Sequence, residues 1–356
     1  MAGQTLPTFP LALAFDDVLL VPQYSDVVSR SEVDLTTNIS PDIKLSVPLI
    51  SVNMDTVTGV EMAVAMDNLG GMGYIGRFDT PEIQAEKIAE IKKRGGRSIG
   101  VIGVKGDYIQ RAEKLLNAGS IALHLDIAHA HSVHALEAIK NCKNRFPNIS
   151  MIAGTIATYE GAYDLFTAGA DTVKVGIGGG SICVTRIMAG SGVPQITAIL
   201  EANRARKKFQ NKFILADGGA ANSGDIVKAL AAGADAYQGG SIFAGTDEAP
   251  GELITINDKL YKEYNGSTSP IEKQRQLQKD NSNKSETYIL HVEGVNAMVE
   301  YKGSVKKVVD GLCAGIRSGL TYSGARNIKE LHEKAKFVRI TSAGLMESNP
   351  HDVVLY

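Results

Sequence analysis

A glycine-rich segment that ends in a thiol is the part of this chain best suited to chemistry. Four glycines lie within the five positions 176–180, and Ser181 and Cys183 follow them. This density of glycine predicts a backbone that adopts positive φ or that a ligand approaches closely. Its N–H groups suit an anion such as phosphate, and the thiol is a candidate nucleophile. The residues alone are also compatible with a flexible loop that carries an incidental cysteine.

The glycine-rich segment follows a β-branched run, 171–175, which is typical of a buried parallel strand. Strands and helices alternate before and after it, and glycines at 119, 169 and 233 each end a helix. The predicted strands cover 48–53, 73–75, 98–102, 121–125, 150–153, 171–175, 212–216 and 235–238. Eight such units favour a (β/α)8 barrel, with an open doubly wound sheet as the alternative.

In a barrel the chemistry lies at the carboxyl ends of the strands. Asn53, Asp126, the 176–183 loop, Asp217–Gly219 and Gly239–Ser241 all fall there. The last two follow strands seven and eight, where barrels commonly bind phosphate. Asp217 is therefore a candidate acceptor for ribose hydroxyls, although an aspartate at this point could also serve as a turn or helix cap.

Residues 252–304 interrupt the alternation. The stretch 259–262 predicts the edge of a hairpin, whereas 265–287 is polar and has almost no apolar periodicity. A segment of this kind within a compact domain is either disordered or a functional lid. We therefore expect residues 1–356 to form one barrel domain, with 252–304 as a mobile flap inserted in it.

Composition excludes several classes of protein. The chain has 356 residues, 44% hydrophobic, and a formal net charge of -2, so no nucleic-acid partner is indicated. Three cysteines do not make a disulfide framework, and no CxxC pair or HxxxH cluster suggests zinc. No signal peptide and no apolar run long enough to span a bilayer are found. We therefore expect a cytoplasmic protein without a membrane partner.

Taken together, six motifs resemble the IMP dehydrogenase and GMP reductase family over nearly the whole chain. The motifs are Leu13–Leu20, Asn53–Val57, Val175–Arg186, Ala216–Gly219, Ala244–Glu252 and Tyr301–Gly303. One position departs from the pattern, because Gly179 stands where the family usually has proline. The resemblance implies a homotetrameric barrel that binds a purine nucleotide monophosphate, GMP or IMP.

The resemblance also implies roles for individual residues. Cys183 would attack C2 of the purine, and Asp217 would accept the ribose hydroxyls. Asp126 would contact the nicotinamide cofactor, NADPH or NAD. The phosphate would be held by Ser181, Gly219, Gly240 and Ser241. A monovalent cation, K⁺, would bind carbonyls of Gly178, Gly180 and Cys183, and a neighbouring subunit's tail near Glu347, Ser348 and Asn349 would complete its site.

The two branches of the family differ in the chemistry that follows attack by the thiol. The family's dehydrogenases activate water with an Arg-Tyr pair in the flap, expected here around 279–281, and no such pair is present. Reductases instead need a proton relay to the leaving amine, which the family assigns to a Thr and a Glu. Thr185 and Glu293 match those two residues.

Other signs are mixed. The long flap and the segments 126–131 and 347–353 resemble dehydrogenases, whereas Asn53-Met-Asp and the lack of an inserted regulatory (CBS) module pair between Arg77 and Gly100 favour a reductase. Because water activation is a chemical requirement, the missing pair favours GMP reductase over IMP dehydrogenase. A flavin oxidoreductase barrel that shares the two glycine-rich strand exits, and a nucleotide sensor without activity, remain alternatives.

Overall fold

The computed structural model describes residues 9–279 and 287–353. Eight parallel strands pair side by side and close into a barrel, so the predicted (β/α)8 fold is confirmed and the open-sheet alternative is wrong. In chain order the barrel strands are Leu49–Ser51, Met72–Ile75, Ser98–Ile102, Leu123–Asp126, Met151–Ile156, Thr172–Val175, Phe213–Asp217 and Ala236–Gly239. The eighth strand pairs with the first through Tyr237 and Leu49, which completes the closure.

Helices follow the strands and cover the outside of the barrel. They are Val60–Asn68, Pro81–Lys93, Tyr108–Ala118, Val133–Arg145, Tyr159–Ala168, Gln195–Arg206, Ser223–Ala231 and Val305–Tyr322. Local signals fix their ends: the Thr80 hydroxyl accepts a hydrogen bond from the Ile83 N–H, and Gly119 and Gly169 end their helices in the left-handed conformation. Short helices also form at Thr185–Met188, Ile328–Lys334 and Ser342–Glu347.

A hairpin that the sequence analysis did not predict closes the amino-terminal end of the barrel. Its strands are Thr37–Ser40 and Ile43–Leu45. Ile39, Ile43 and Leu45 are buried in one cluster with the barrel residues Ile50 and Leu215. Apolar side chains therefore fill this end of the barrel, and a cavity opens at the opposite rim. A second pairing, Val18–Leu20 with Phe337–Arg339, joins the two ends of the chain.

The flap has more regular structure than its sequence indicates. Strands Ile254–Ile256, Lys259–Asn265 and Asn296–Glu300 form an antiparallel sheet, and helices Pro270–Lys279 and Thr287–Leu290 lie between the last two. The stretch 265–287, which has almost no apolar periodicity, predicts either a disordered segment or a functional lid. The buried residues of Pro270–Lys279 are themselves polar, Glu272, Lys273 and Gln276. Residues 280–286, in the segment expected to be mobile, lie outside the described residues.

Two lysine side chains are among the groups that attach the flap to the barrel. The Lys302 ammonium donates to the carbonyls of Ser241 and Ile242, just past the eighth strand. At the far end of Pro270–Lys279, the Lys279 ammonium lies 2.7 Å from a carboxylate oxygen of Asp79 and 3.1 Å from one of Asp55. Within the described ranges, none of the helices is both long enough and apolar enough to cross a membrane.

Candidate active site

A cavity of about 300 Å³ opens at the carboxyl-terminal rim of the barrel. Its walls come from the exits of most barrel strands and from the flap. The lining includes Asn53, Arg77, Asp126, Lys174, Gly176, Gly178, Gly180, Cys183, Thr185, Asp217, Gly240, Tyr264 and Glu293. Thus the residues predicted from strand exits one, four, six, seven and eight surround one space, as the barrel requires.

A thiol, a hydroxyl and a carboxylate form a continuous line on one side of this cavity. The Cys183 Sγ lies 3.2 Å from the Thr185 Oγ1, and Thr185 donates to a Glu293 carboxylate oxygen at 2.7 Å. All three side chains are partly buried. A carboxylate that accepts from a hydroxyl can pass a proton through that hydroxyl to a group beside the sulfur, which is the geometry that a relay needs.

Backbone pairing brings Glu293 to the loop of Cys183, although the two residues are far apart in the chain. The Val184 N–H donates to the Glu293 carbonyl at 2.9 Å, and the Val295 N–H donates to the Ile182 carbonyl at 3.1 Å. These bonds form a short antiparallel bridge between Cys183 and Gly294. The last part of the flap therefore becomes a wall of the nucleophile loop.

The first glycine of the loop is required by a close approach of backbone to backbone. Gly176 has φ 144°, and a Cβ there would lie 2.2 Å from the Asp217 carbonyl oxygen. The Gln195 amide donates to both the Val175 and the Asp217 carbonyls, so it holds the exits of strands six and seven together. At Gly179, by contrast, a Cβ would meet only the Gln195 Oε1, at 3.7 Å. The glycine at 179, where the family usually has proline, is therefore not required by steric crowding.

Three of the four residues expected to hold phosphate, Ser181, Gly240 and Ser241, lie near the hydroxyl of Tyr264, a residue that was not predicted. Ser181 and the Ser241 backbone both lower the pKa of Tyr264 through hydrogen bonding, and a Cβ at Gly240 would lie 2.4 Å from its hydroxyl. Gly219 lies beside the loop, where a Cβ would be 3.4 Å from the Gly179 carbonyl. Burial raises the pKa of Tyr264 to about 12, so its hydroxyl stays neutral and can donate.

Electrostatics in the barrel interior centre on Lys174, another residue not predicted. Its Nζ lies 2.9 Å from an Asp126 carboxylate oxygen and 2.7 Å from one of Asp217. Burial would raise the pKa of Asp126, but the Lys174 ammonium outweighs this and lowers it, helped by the Asn53 amide at 2.7 Å. Burial dominates at Asp217, whose pKa is raised. A lysine within the buried run 171–175 was the sequence signal that could have revealed this cluster.

The residues expected for the cation occupy two separate places. Gly178, Gly180 and Cys183 border the cavity, and the Gly180 carbonyl accepts from the Cys183 N–H at 3.1 Å. Glu347, Ser348 and Asn349 lie at the exposed end of the helix Ser342–Glu347 and are not in the cavity lining. The resemblance places these three residues in the cation site of a neighbouring subunit, so the structure of a single chain does not test that prediction. The described residues contain no group of three or more His, Cys, Asp or Glu side chains that could hold a metal.

This arrangement defines a class of protein: a (β/α)8 barrel whose rim brings a partly buried thiol next to a glycine-rich corner of the kind that binds phosphate. The family model "IMP dehydrogenase / GMP reductase domain" matches residues 12–351. The chain therefore belongs to the IMP dehydrogenase and GMP reductase family, and it is a purine nucleotide oxidoreductase.

Individual relatives carry the names of both branches. The inosine-5'-monophosphate dehydrogenase of Nitrosopumilus maritimus is 35% identical over 477 aligned positions, which cover 98% of this chain and 99% of the relative. That of Borreliella burgdorferi is 39% identical over 397 positions, with 96% and 97% covered. A crystal structure of a GMP reductase variant from Trypanosoma brucei, in complex with guanosine 5'-monophosphate, superposes with a TM-score of 0.91 at 30% identity, covering 98% of this chain and 99% of that one.

Proposed function

We propose that this protein is a GMP reductase, which converts GMP and NADPH to IMP, ammonia and NADP⁺. The observation that carries the proposal is the line from Cys183 through Thr185 to Glu293, because it can take up the thiol proton and return it to a group that leaves beside the sulfur. A reductase must protonate the 2-amino group as it leaves, and this relay is suited to that task.

In the proposed mechanism the Cys183 thiolate attacks C2 of the purine and makes that carbon tetrahedral. The proton of the Cys183 thiol passes through the Thr185 hydroxyl to Glu293, and the same line returns it to the amino nitrogen as the bond from C2 to that nitrogen breaks, so that ammonia leaves. A covalent thioimidate then remains on Cys183. A bound nicotinamide cofactor would supply hydride to C2, and departure of the Cys183 thiolate from that carbon would release IMP.

The remaining pocket residues would hold the two ligands. We assign the phosphate to the corner of Ser181, Gly219, Gly240 and Ser241, and the ribose hydroxyls to Asp217. Asp126 lines the cavity and is held ionised by Lys174, which fits a contact to the polar part of a nicotinamide. Cys183, Asp217 and Gly240 line the same cavity, so that both ligands could meet at Cys183.

IMP dehydrogenase is the second candidate, because the curated relatives cited above carry that name at 35% and 39% identity. That activity would need a base to activate water at the thioimidate. Residues 252–304 contain one arginine, Arg275, and it is not followed by tyrosine. In the structure Arg275 is paired with Glu263 and Glu272, within the flap itself. We therefore place the reductase first.

We also propose three features that rest on the resemblance. The chain would be a single barrel domain without CBS modules; in support, the alignment with the N. maritimus relative spans 477 positions against 356 residues here. It would assemble as a homotetramer. K⁺ would bind the carbonyls of Gly178, Gly180 and Cys183, since backbone oxygens suit a hard cation, together with Glu347, Ser348 and Asn349 of a neighbouring copy.

One experiment separates the candidates. The purified enzyme is given GMP with NADPH and, separately, IMP with NAD and potassium, and absorbance of the reduced nicotinamide is followed. Oxidation of NADPH that depends on GMP supports the reductase. Reduction of NAD that depends on IMP, with no GMP reaction, would contradict it and establish the dehydrogenase. No turnover of either pair would support the nucleotide sensor instead.

A further inference from the structure

We propose that Lys174 is a positioning residue that joins the nucleotide and cofactor halves of the site, by orienting Asp126 and Asp217 with one ammonium group. The inference rests on the proposed function for the roles of the two aspartates. Lys174 would not need to contact either ligand. Its role would be to make binding of the nucleotide and binding of the cofactor depend on each other.

The geometry gives Lys174 no other carboxylate partner among the described residues. Its side chain is 5% exposed and points into the barrel from the sixth strand, while Asp126 ends the fourth strand and Asp217 the seventh. Opposite Lys174 on the fifth strand stands Gly154, where a Cβ would lie 2.6 Å from the Lys174 Cβ. The missing side chain at Gly154 thus makes room for the lysine.

Charge explains why the bridge matters. One ammonium within hydrogen-bond distance of two carboxylates favours the ionised form of both, and at Asp217 it opposes the burial that raises the pKa. Without the ammonium, like-charge repulsion and burial would make the pair share a proton. A protonated Asp217 would be a poorer acceptor for ribose hydroxyls, and a reoriented Asp126 would no longer face the cofactor. One buried cation therefore sets the protonation state of both halves.

The other groups around this cluster cannot replace the ammonium. Arg77 donates through Nε to the Asp126 backbone carbonyl and not to its carboxylate. His124 is buried and its pKa is lowered to about 3, so it is neutral. Burial raises the pKa values of Tyr74, Tyr237 and Tyr264, so these phenols are uncharged as well. Lys174 is thus the cation that meets both carboxylates in the described part of the chain.

The test measures proton exchange on GMP binding in the absence of cofactor, by calorimetry in two buffers of different ionisation enthalpy. Lys174→Met is expected to release up to about one proton more than the wild type, because ribose hydroxyls favour the ionised form of Asp217. Its GMP affinity should fall about tenfold or more. Lys174→Arg, which keeps the charge, should restore wild-type proton exchange. Equal proton exchange in the wild type and Lys174→Met would overturn the proposal.

Lys212→Met is the matched control. The Lys212 ammonium lies 3.3 Å from Asp171 in a second lysine–aspartate cluster that includes Lys143, away from the cavity. Its loss should leave GMP affinity and proton exchange unchanged, and a change as large as that of Lys174→Met would count against the proposal.

Should Lys174→Met fail to fold, Asp126→Asn gives a second measurement. Because the ammonium would then pair with Asp217 alone, GMP affinity should shift by about threefold or more although Asp126 is assigned to the cofactor. Unchanged affinity would overturn the bridge. These measurements follow binding and not turnover. If the protein turned over neither substrate pair, the proposed function would be wrong, but the role of Lys174 could still be tested.

Discussion

Replacement of Glu293 by glutamine is the sharpest test of the relay. The substitution keeps the size of the side chain and an oxygen that can accept from the Thr185 hydroxyl at 2.7 Å, but it removes the negative charge. Without that charge the hydroxyl is a weaker route for a proton to the amine that leaves. Neither ribose nor phosphate is expected to contact Glu293, so binding of GMP should be preserved.

The expected size of the effect follows from what positioned acid–base groups contribute. General acid–base catalysis is worth roughly 10² to 10⁴ in rate, or about 3 to 5.5 kcal/mol of activation free energy. We therefore expect kcat to fall by about two to four orders of magnitude, while GMP affinity changes less than about threefold. Thr185→Val should produce a similar loss. Because the two residues act in one relay, kcat of the double variant should be little lower than that of the more impaired single variant.

The assay is oxidation of NADPH with saturating GMP, together with calorimetric binding of GMP. Glu300→Gln is the control, since Glu300 is a flap carboxylate paired with Lys259 at the surface. Its kcat should match that of the wild type. A Glu293→Gln enzyme whose kcat stays within about threefold of the wild type would refute the relay, because the step that Glu293 is said to assist would then proceed without it.

Three further predictions concern other parts of the molecule. Cys183→Ala should reduce turnover to background while GMP affinity changes only modestly; turnover near that of the wild type would rule out a covalent step. His124 is buried and its pKa is lowered to about 3, so the stability that the neutral ring contributes is complete above the unfolded value of 6.5 and is lost as pH falls towards 3. Unfolding in urea should therefore show about 1.4 kcal/mol less stability per pH unit below about 6 from this group, and His124→Phe should lack that slope. Lys279→Met removes the contacts to Asp79 and Asp55, so the cofactor KM should rise a few-fold with GMP affinity unchanged, and an unchanged KM would show that the flap does not depend on this attachment.

Where local chemistry decides the structure, the sequence predicts it closely. The predicted strand 98–102 agrees with the structure at both ends, and the helix Val133–Arg145 ends where the sequence places a proline shortly afterwards. In the strand, the apolar run and the glycines on both sides of it define where the strand begins and ends. The helix ends shortly before Pro147, which cannot continue it. The eight-unit count succeeded because each unit carries such signals independently of the others.

The flap helix Pro270–Lys279 was missed because an apolar face was the criterion. Its buried side is made of Glu272, Lys273 and Gln276, which pack by hydrogen bonds and not by hydrophobic contact. A cap signal was available, since Ser269 precedes Pro270 at the first helical position and the Ser269 hydroxyl accepts from the Glu272 N–H at 3.4 Å. The hairpin at 37–45 was missed for a different reason: its strands are too short for alternation to stand out.

The candidate site shows a similar limit. Strand exits can be located from the chain alone, so the rim positions of Asp126, Asp217 and Cys183 could be predicted. Glu293 could be named only from the resemblance to the family, and Tyr264 was not predicted, because both arrive from the flap through pairing that no local pattern indicates. Lys174 could have been found by asking why a cation stands in a buried strand.

The antiparallel bridge between Cys183 and Gly294 gives the thiol a use as a reporter. Because the nucleophile's backbone is bonded to the end of the flap, any loosening of that segment should alter how readily small electrophiles alkylate the sulfur. The rate of modification by iodoacetamide, measured with and without each nucleotide, would then register the order of the flap without a label. For inhibitor design, a warhead aimed at this sulfur would in effect select among flap conformations.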